Sequence, residues 1–232
     1  MTNTFLPLMI GFVIMSLGSL LIYMHGSKHP EIRHHTHFHA VVPFIAATSY
    51  LAMTLGLGVT AVDGETLYLP RYVDWTFTTP ILLVGLTLTG LHEHHRHSSY
   101  ILPIVVLDVL MIVTGLFSAL ADNAAERWIW YAWSCVAFAG VLYLLWVPVR
   151  AISDEMGGQM ETVYRKNLLF LTVVWFFYPI VFLLGPQGVG IIDNVADVWL
   201  ILVLDVIAKV VYGFLSASRF KTVPRDEFPK MA

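Results

Sequence analysis

The chain has 232 residues, of which 57% are hydrophobic and 12% charged, with a formal net charge of −3. Such a composition suits a chain dissolved in lipid and excludes a water-soluble fold, and nucleic acid is not an expected partner. The single cysteine, Cys135, lies in an apolar stretch, so no disulfide is available and it reads as a small hydrophobe.

Windows of about 20 apolar residues predict seven membrane-crossing helices in one domain covering residues 1–232. They run Phe5 to Met24, His39 to Val62, Arg71 to Leu91, Tyr100 to Leu120, Arg127 to Arg150, Val163 to Leu184 and Val195 to Phe220. Links such as Asp63-Gly64-Glu65, His92 to Ser99 and Gly185-Pro186-Gln187-Gly188 are too short to hold a soluble domain. The first span lacks the basic region and small-residue cleavage site of a signal peptide and is expected to stay on the protein. The expected fold class is an all-α, multi-pass membrane protein whose first partner is the lipid bilayer. Lys28, Arg33, Arg96, Arg150, Arg165, Lys166, Arg219, Lys221, Arg225 and Lys230 collect at one end of the bundle, and only Arg71 and Arg127 at the other. Positive charge marks the cytoplasmic side, which puts the C-terminus in the cytoplasm and the N-terminus outside.

All ten histidines, at positions 25, 29, 34, 35, 37, 39, 92, 94, 95 and 97, fall at or near the cytoplasmic ends of the first three spans. As HHTHFH and HEHHRH they read as solvated loops, or else as a surface that collects protons near neutral pH. His35 with His39, or His92 with His95, have helical spacing for a metal, but no closed ligand set accompanies them and no metal is expected.

In the third span, RYVDWTFTTPILLVGL, Arg71 stands three residues before Asp74 and Thr78 four residues after it, a polar stripe on one helical face. Arg71 and Asp74 could simply neutralise one another. The fourth span carries a further carboxylate, Asp108. In the sixth, Trp175, Tyr178 and Phe182 form an aromatic face beside Pro179, which weakens the helix ladder and permits a hinge. The last span, ADVWLILVLDVIAKVVYGFL, stacks Asp205 and Lys209 one turn apart inside hydrocarbon. Either charge alone is costly there; as a pair they lock helices together or mark a functional site, and the second reading is the default. A lysine in a dry pocket can lose its proton and form a Schiff base with an aldehyde. Two carboxylates sharing one protonated Schiff base have coupled proton affinities that small movements shift.

RYVDWTFTTP, WFFYP and LDVIAK, in that order, resemble the matching segments of the microbial (type 1) rhodopsins, and the likeness extends over all seven spans. The resemblance implies that Lys209 carries all-trans retinal as a protonated Schiff base, with Asp74 as counterion and proton acceptor and Asp205 as second counterion. It implies that Arg71 lies on the outward path, that Tyr50 and Tyr178 bond Asp205, and that Thr78 bonds Asp74. Trp75, Thr79, Leu82, Met111, Gly115, Trp130, Ser134, Trp175, Tyr178, Pro179 and Phe182 match retinal-lining positions, and Asp108 matches a carboxyl that stays protonated near the ring. Phe182 stands where Trp is common and Cys135 where Thr is usual, departures that imply altered colour. Leu82 is the residue of green absorbers. Tyr131 stands where carotenoid-binding relatives have Gly, so no carotenoid antenna is expected.

Asp74, Thr78 and Gly85 resemble the Asp-Thr-Gly set of a minor proton-pumping subgroup. Gly85 takes the place of the internal donor carboxylate, eleven residues beyond Asp74 and about 16 Å nearer the cytoplasm. His39 matches the position that faces this donor, and imidazole can relay protons. On the outer side Gln187 and Asp197 occupy the places of an acidic releasing pair, so one acid is gone, and release is expected to come late or else from Asp74 through Arg71. The expected activity is therefore that of a light-driven outward proton pump, not an enzyme, in a bacterial inner membrane. It is expected to work with protons and internal waters, as a homo-oligomer. The alternative is a sensory photoreceptor signalling to a membrane partner, although Ala208 lacks the Thr that sensory relatives use before the lysine. Chloride pumps replace the acceptor with a neutral residue and sodium pumps use an Asn, Asp, Gln set; neither pattern fits.

Overall fold

The computed structural model describes residues 4–29, 32–92, 99–224 and 227–228. Seven helical rods carry it: α1 Phe5–Ser27, α2 Arg33–Thr54, α3 Leu69–Gly90 and α4 Ile101–Leu120, then α5 Ala124–Met156, α6 Gly158–Leu184 and α7 Asn194–Phe220. Neighbours in sequence pack side by side from α1 to α5, α7 closes the ring against α1 and α6, and α3 also touches α6. Five of the rods are long and apolar enough to cross a membrane on composition alone; α2 and α3 are not among them, and both carry more polar residues along their length. The outside is oily: Phe44, Ile129 and Trp133 are more than half exposed, whereas Asp74, Asp205 and Lys209 are each 2% exposed. That is the polarity of a chain solvated by hydrocarbon.

The second rod departs from expectation at both ends. It starts at Arg33, so His34, His35, His37 and His39 are helical and the HHTHFH stretch is not a loop. Thr36 turns its hydroxyl onto the Ile32 carbonyl at 3.1 Å, and His35 stacks on Phe220 of α7 at 4.0 Å. The rod ends at Thr54 rather than Val62. Gly56 and Gly58, at φ of +75° and +67°, turn the chain out of the helix. Val59–Val62 (β1) then pairs antiparallel with Glu65–Tyr68 (β2), Val62 opposite Glu65. Asp63 and Gly64, both at positive φ, make the two-residue turn that such a hairpin favours. Smaller differences extend α5 two turns past Arg150, to Met156, and start α6 at Gly158 instead of Val163. Of the HEHHRH stretch, His94, His95, Arg96 and His97 lie outside the described residues, as do Arg225 and Lys230.

Two rods contain a π turn. In α5 it covers Leu145–Val149 around Pro148, and in α7 it covers Val206–Val211 and includes Lys209. A π turn inserts a residue and swings the rest of the helix around the axis, and such turns concentrate at functional sites. Packing fixes the remainder. Leu82, Leu83, Leu86, Leu145, Leu168 and Leu171 fill the histidine-bearing half, while Leu8, Met15, Ala46, Tyr50, Val198 and Leu202 join α1, α2 and α7 in the hairpin half. Gly11 of α1 lets the Tyr50 ring lie flush on the helix, since a Cβ there would overlap that ring.

Candidate functional site

The π turn of α7 delivers the Lys209 ammonium between two helices. Its Nζ bonds Asp74 Oδ2 of α3 and lies 3.3 Å from Asp205 Oδ1, one turn earlier on its own helix. The two carboxylates differ in company. Asp205 accepts from Tyr50 Oη at 2.9 Å, from Tyr178 Oη at 2.8 Å and from Trp75 Nε1 at 3.4 Å. Asp74 has the lysine on Oδ2, while its buried Oδ1 has no partner among the described residues. A carboxylate pinned by three outside donors keeps its place, whereas one with an unoccupied oxygen has room to receive a hydrogen.

Arg71 does not pair with Asp74. Its Nη1 meets Asp197 Oδ2 of α7 at 2.6 Å, both residues being buried, and its guanidinium lies 4.8 Å from the Tyr68 ring centre. Gln187 donates to the Thr66 carbonyl of β2 at 2.9 Å, tying the hairpin to the loop between α6 and α7. Arg71, Asp197 and Gln187 all line the same cavity as Lys209. Thr78 shares the Asp74 face, and its hydroxyl, beside the Asp74 carboxylate, donates to the Asp74 backbone carbonyl at 2.9 Å, the carbonyl one turn back that helical Ser and Thr reach.

Of the expected lining residues, Trp75, Thr79, Leu82, Met111, Gly115, Ser134, Trp175, Tyr178, Pro179 and Phe182 border this cavity. Tyr50 acts from behind it, through Asp205. Trp130 does not belong to the wall: it is 36% exposed and meets Phe117 edge to face at 5.1 Å. The next residue takes that place, because one position turns a helix by about 100°. Tyr131 stacks on Phe182 at 5.5 Å and donates to the Pro179 carbonyl at 3.1 Å. Tyr72, Phe138 and Ile201 also line the wall, and single apolar or aromatic residues on a membrane helix gave no signal that would have found them. Thr79 Oγ1 lies 2.6 Å from Asp108 Oδ2 and 2.8 Å from the Trp75 carbonyl. A hydroxyl has one hydrogen, so both bonds form together only when the Asp108 carboxyl supplies the second.

The wall suits the polyene aldehyde that the sequence likeness implies. It is aromatic and apolar apart from a lysine at a buried pair of carboxylates, and at Gly115 an added Cβ would meet only Ser134 Oγ, at 3.5 Å. The Asp74 oxygen without a partner is the orphan such a site leaves beside a reacting group.

His39 sits apart from this cavity, toward the histidine-bearing end. It is 4% exposed, its Nε2 lies 3.3 Å from Ser216 Oγ, and its Nδ1 has no partner among the described residues. Its Cε1 lies 4.0 Å from where a Cβ on Gly85 would be. The remaining described histidines lie further out; His92, held on the Gly157 carbonyl at 2.7 Å, joins the ends of α3 and α5.

A family model described as bacteriorhodopsin-like protein matches residues 2–222. The chain is 36% identical over 212 residues to archaerhodopsin-3 of Halorubrum sodomense, covering 89% of this chain and 81% of that one. It is 30% identical over 188 residues to sensory rhodopsin-2 of Natronomonas pharaonis, covering 81% and 77%. Among solved structures it superposes on thermophilic rhodopsin from Rubrobacter xylanophilus with a TM-score of 0.89 and 38% identity, over 94% of this chain and 96% of that one. The light-driven proton pump rhodopsin of Coccomyxa subellipsoidea gives a TM-score of 0.85 and 32% identity, over 94% and 97%.

Proposed function

We propose, on the premise that this chain belongs to the bacteriorhodopsin-like family, that it is a light-driven pump moving protons out of the cell. As a member of that family it is an integral membrane protein that binds retinal through a lysine Schiff base. Lys209 is the residue for that bond: of the lysines described, it is the buried one, and it opens into the aromatic cavity. Retinal supplies light absorption and an isomerisation that alters the setting of the lysine nitrogen.

The observation that carries the reading is the inequality of the two carboxylates. Lys209 Nζ holds its proton against Asp74 Oδ2, and Asp74 is placed to take it because Oδ1 is unengaged, while Tyr50, Tyr178 and Trp75 already occupy the oxygens of Asp205. Arg71, steadied by Asp197, then lies on the outward side to favour release. Refilling comes from the other end. Gly85 brings no side chain beside His39, an imidazole nitrogen can take up and pass on a proton, and its buried ring stands between the histidine-rich surface and the lysine helix. Described cations Lys28, Arg33, Arg150, Arg165, Lys166 and Lys221 gather at this end, which supports its assignment to the cytoplasm.

The likeness to sensory rhodopsin-2 supports one second reading, a photoreceptor that signals to a membrane partner through the same pocket. One experiment separates the two. Weakly buffered cells making this chain with retinal should acidify their medium in light, and a protonophore should abolish the change. A coloured, photocycling protein with no pH change would favour the sensor and overturn the pump.

A further inference from the structure

Near the histidine-bearing end, a hydrogen-bond chain crosses from α7 to α6, back to α7 and on to α2. Arg219 Nη1 donates to Asn167 Oδ1 at 2.7 Å, Asn167 Nδ2 donates to Ser216 Oγ at 3.2 Å, and Ser216 Oγ meets His39 Nε2 at 3.3 Å. Each bond sets the direction of the next. A guanidinium only donates, so the Asn167 atom facing it is the carbonyl oxygen. The amide nitrogen therefore faces Ser216 and donates. With one lone pair taken, the serine still has its own hydrogen to give; the Tyr212 hydroxyl, which also reaches Ser216, has a hydrogen of its own for the second lone pair, and His39 Nε2 is the acceptor for the serine hydrogen.

We infer that Arg219, Asn167 and Ser216 set the tautomer of His39, holding Nε2 as the acceptor and placing the ring hydrogen on Nδ1. This rests on the reading of His39 as a refilling residue and adds to it a starting position for the hydrogen. Three features suit the role. Asn167 and Ser216 are 1% and 0% exposed, so water does not compete for their bonds. Nδ1 is a buried nitrogen without a protein partner among the described residues, and so keeps whatever hydrogen it carries. The ring's surroundings leave the choice to the chain: Tyr212 meets it edge on at 5.4 Å, Gly85 brings no side chain from α3, and His35 stands one turn away on α2. A histidine's reactivity depends on which nitrogen holds the proton, and the bond on the other nitrogen decides it. Arg219, Asn167 and Ser216 are thus positioning residues.

The test is nitrogen NMR of the dark protein in lipid with ¹⁵N-histidine, the His39 signals being identified by their loss in His39→Gln. Wild type should show hydrogen on Nδ1 and a bare Nε2. Asn167→Asp should invert this, since a carboxylate accepts from both Arg219 and Ser216, the serine hydrogen turns away, and Nε2 must then donate. Ser216→Ala should leave both tautomers populated, and Ser216→Thr should restore the first. Retention of the visible band certifies each variant as folded. In flash photolysis, Ser216→Ala should slow refilling about tenfold and Ser216→Thr should recover it. Hydrogen on Nε2 in wild type, or an unmoved tautomer in Asn167→Asp, overturns the inference. If His39→Gln itself leaves refilling unchanged, the pump's refilling route falls. If His39→Gln slows it but Ser216→Ala does not, only the role of the chain falls.

Discussion

Asp74 and Asp205 flank the same lysine nitrogen, and the neighbours of each separate their roles. Asp74→Asn should abolish light-driven acidification and shift the visible band to the red, because the carboxylate with a free oxygen is gone while Asp205 stays pinned. Spectra and medium pH on one preparation check it, and retained transport would mean that another group takes the proton. His39→Ala should slow the late phase of the photocycle about a hundredfold or more, the scale of a lost proton-transfer group. Added imidazole should return part of that rate. An unchanged late phase at every pH would remove His39 from the mechanism. The residues of this network were mostly legible in the sequence, since charges inside apolar runs stand out. Their partners were not. Arg71 pairs with Asp197, 126 positions away, rather than with Asp74 beside it; spacing along one helix says nothing about the helix opposite.

Elements carry a different class of consequence. Apolar runs located every rod, yet α2 ends eight residues early because Gly56, Gly58 and the Asp63-Gly64 turn release its tail into a hairpin. That signal was local and readable; the hydropathy of Val59 to Val62 overrode it. Trp130 stands one position off the wall that Tyr131 forms, an offset in the likeness to the family that the apolar faces of α5 do nothing to correct. Gly11 and Gly85 show how one missing side chain organises a helix contact. Gly11→Val should drive Tyr50 off Asp205, at a cost of about 1–3 kcal/mol in thermal unfolding, with a shift of the visible band. At Gly85 a Cβ would lie 3.0 Å from the tip of the Phe38 ring, a side chain that can swing aside. Gly85→Asp placed in the His39→Ala background should therefore restore fast refilling, read by flash photolysis. A double variant as slow as His39→Ala would show that the carboxyl cannot reach into that space.

The whole molecule keeps its charges at the centre and its oil outside, so its stability depends on the central pairing. Without retinal, Lys209→Met leaves Asp74 buried with no cation and should destabilise the bundle by about 3–5 kcal/mol. Adding Asp74→Asn should recover most of that loss, as followed by helical circular dichroism on heating in micelles. An equal loss in both variants would assign the effect to packing instead. The outward turn of Trp130 also helps sort five of the seven indoles into two optical populations. Trp75 and Trp175 form part of the pocket wall, while Trp130, Trp133 and Trp199 face outward. The first pair should pass its excitation to the chromophore and stay dark, and the second group should glow and be quenched by brominated lipid tails. Bleaching the pigment should then brighten the fraction that bromine cannot reach, so ultraviolet fluorescence would report pocket occupancy and lipid contact independently.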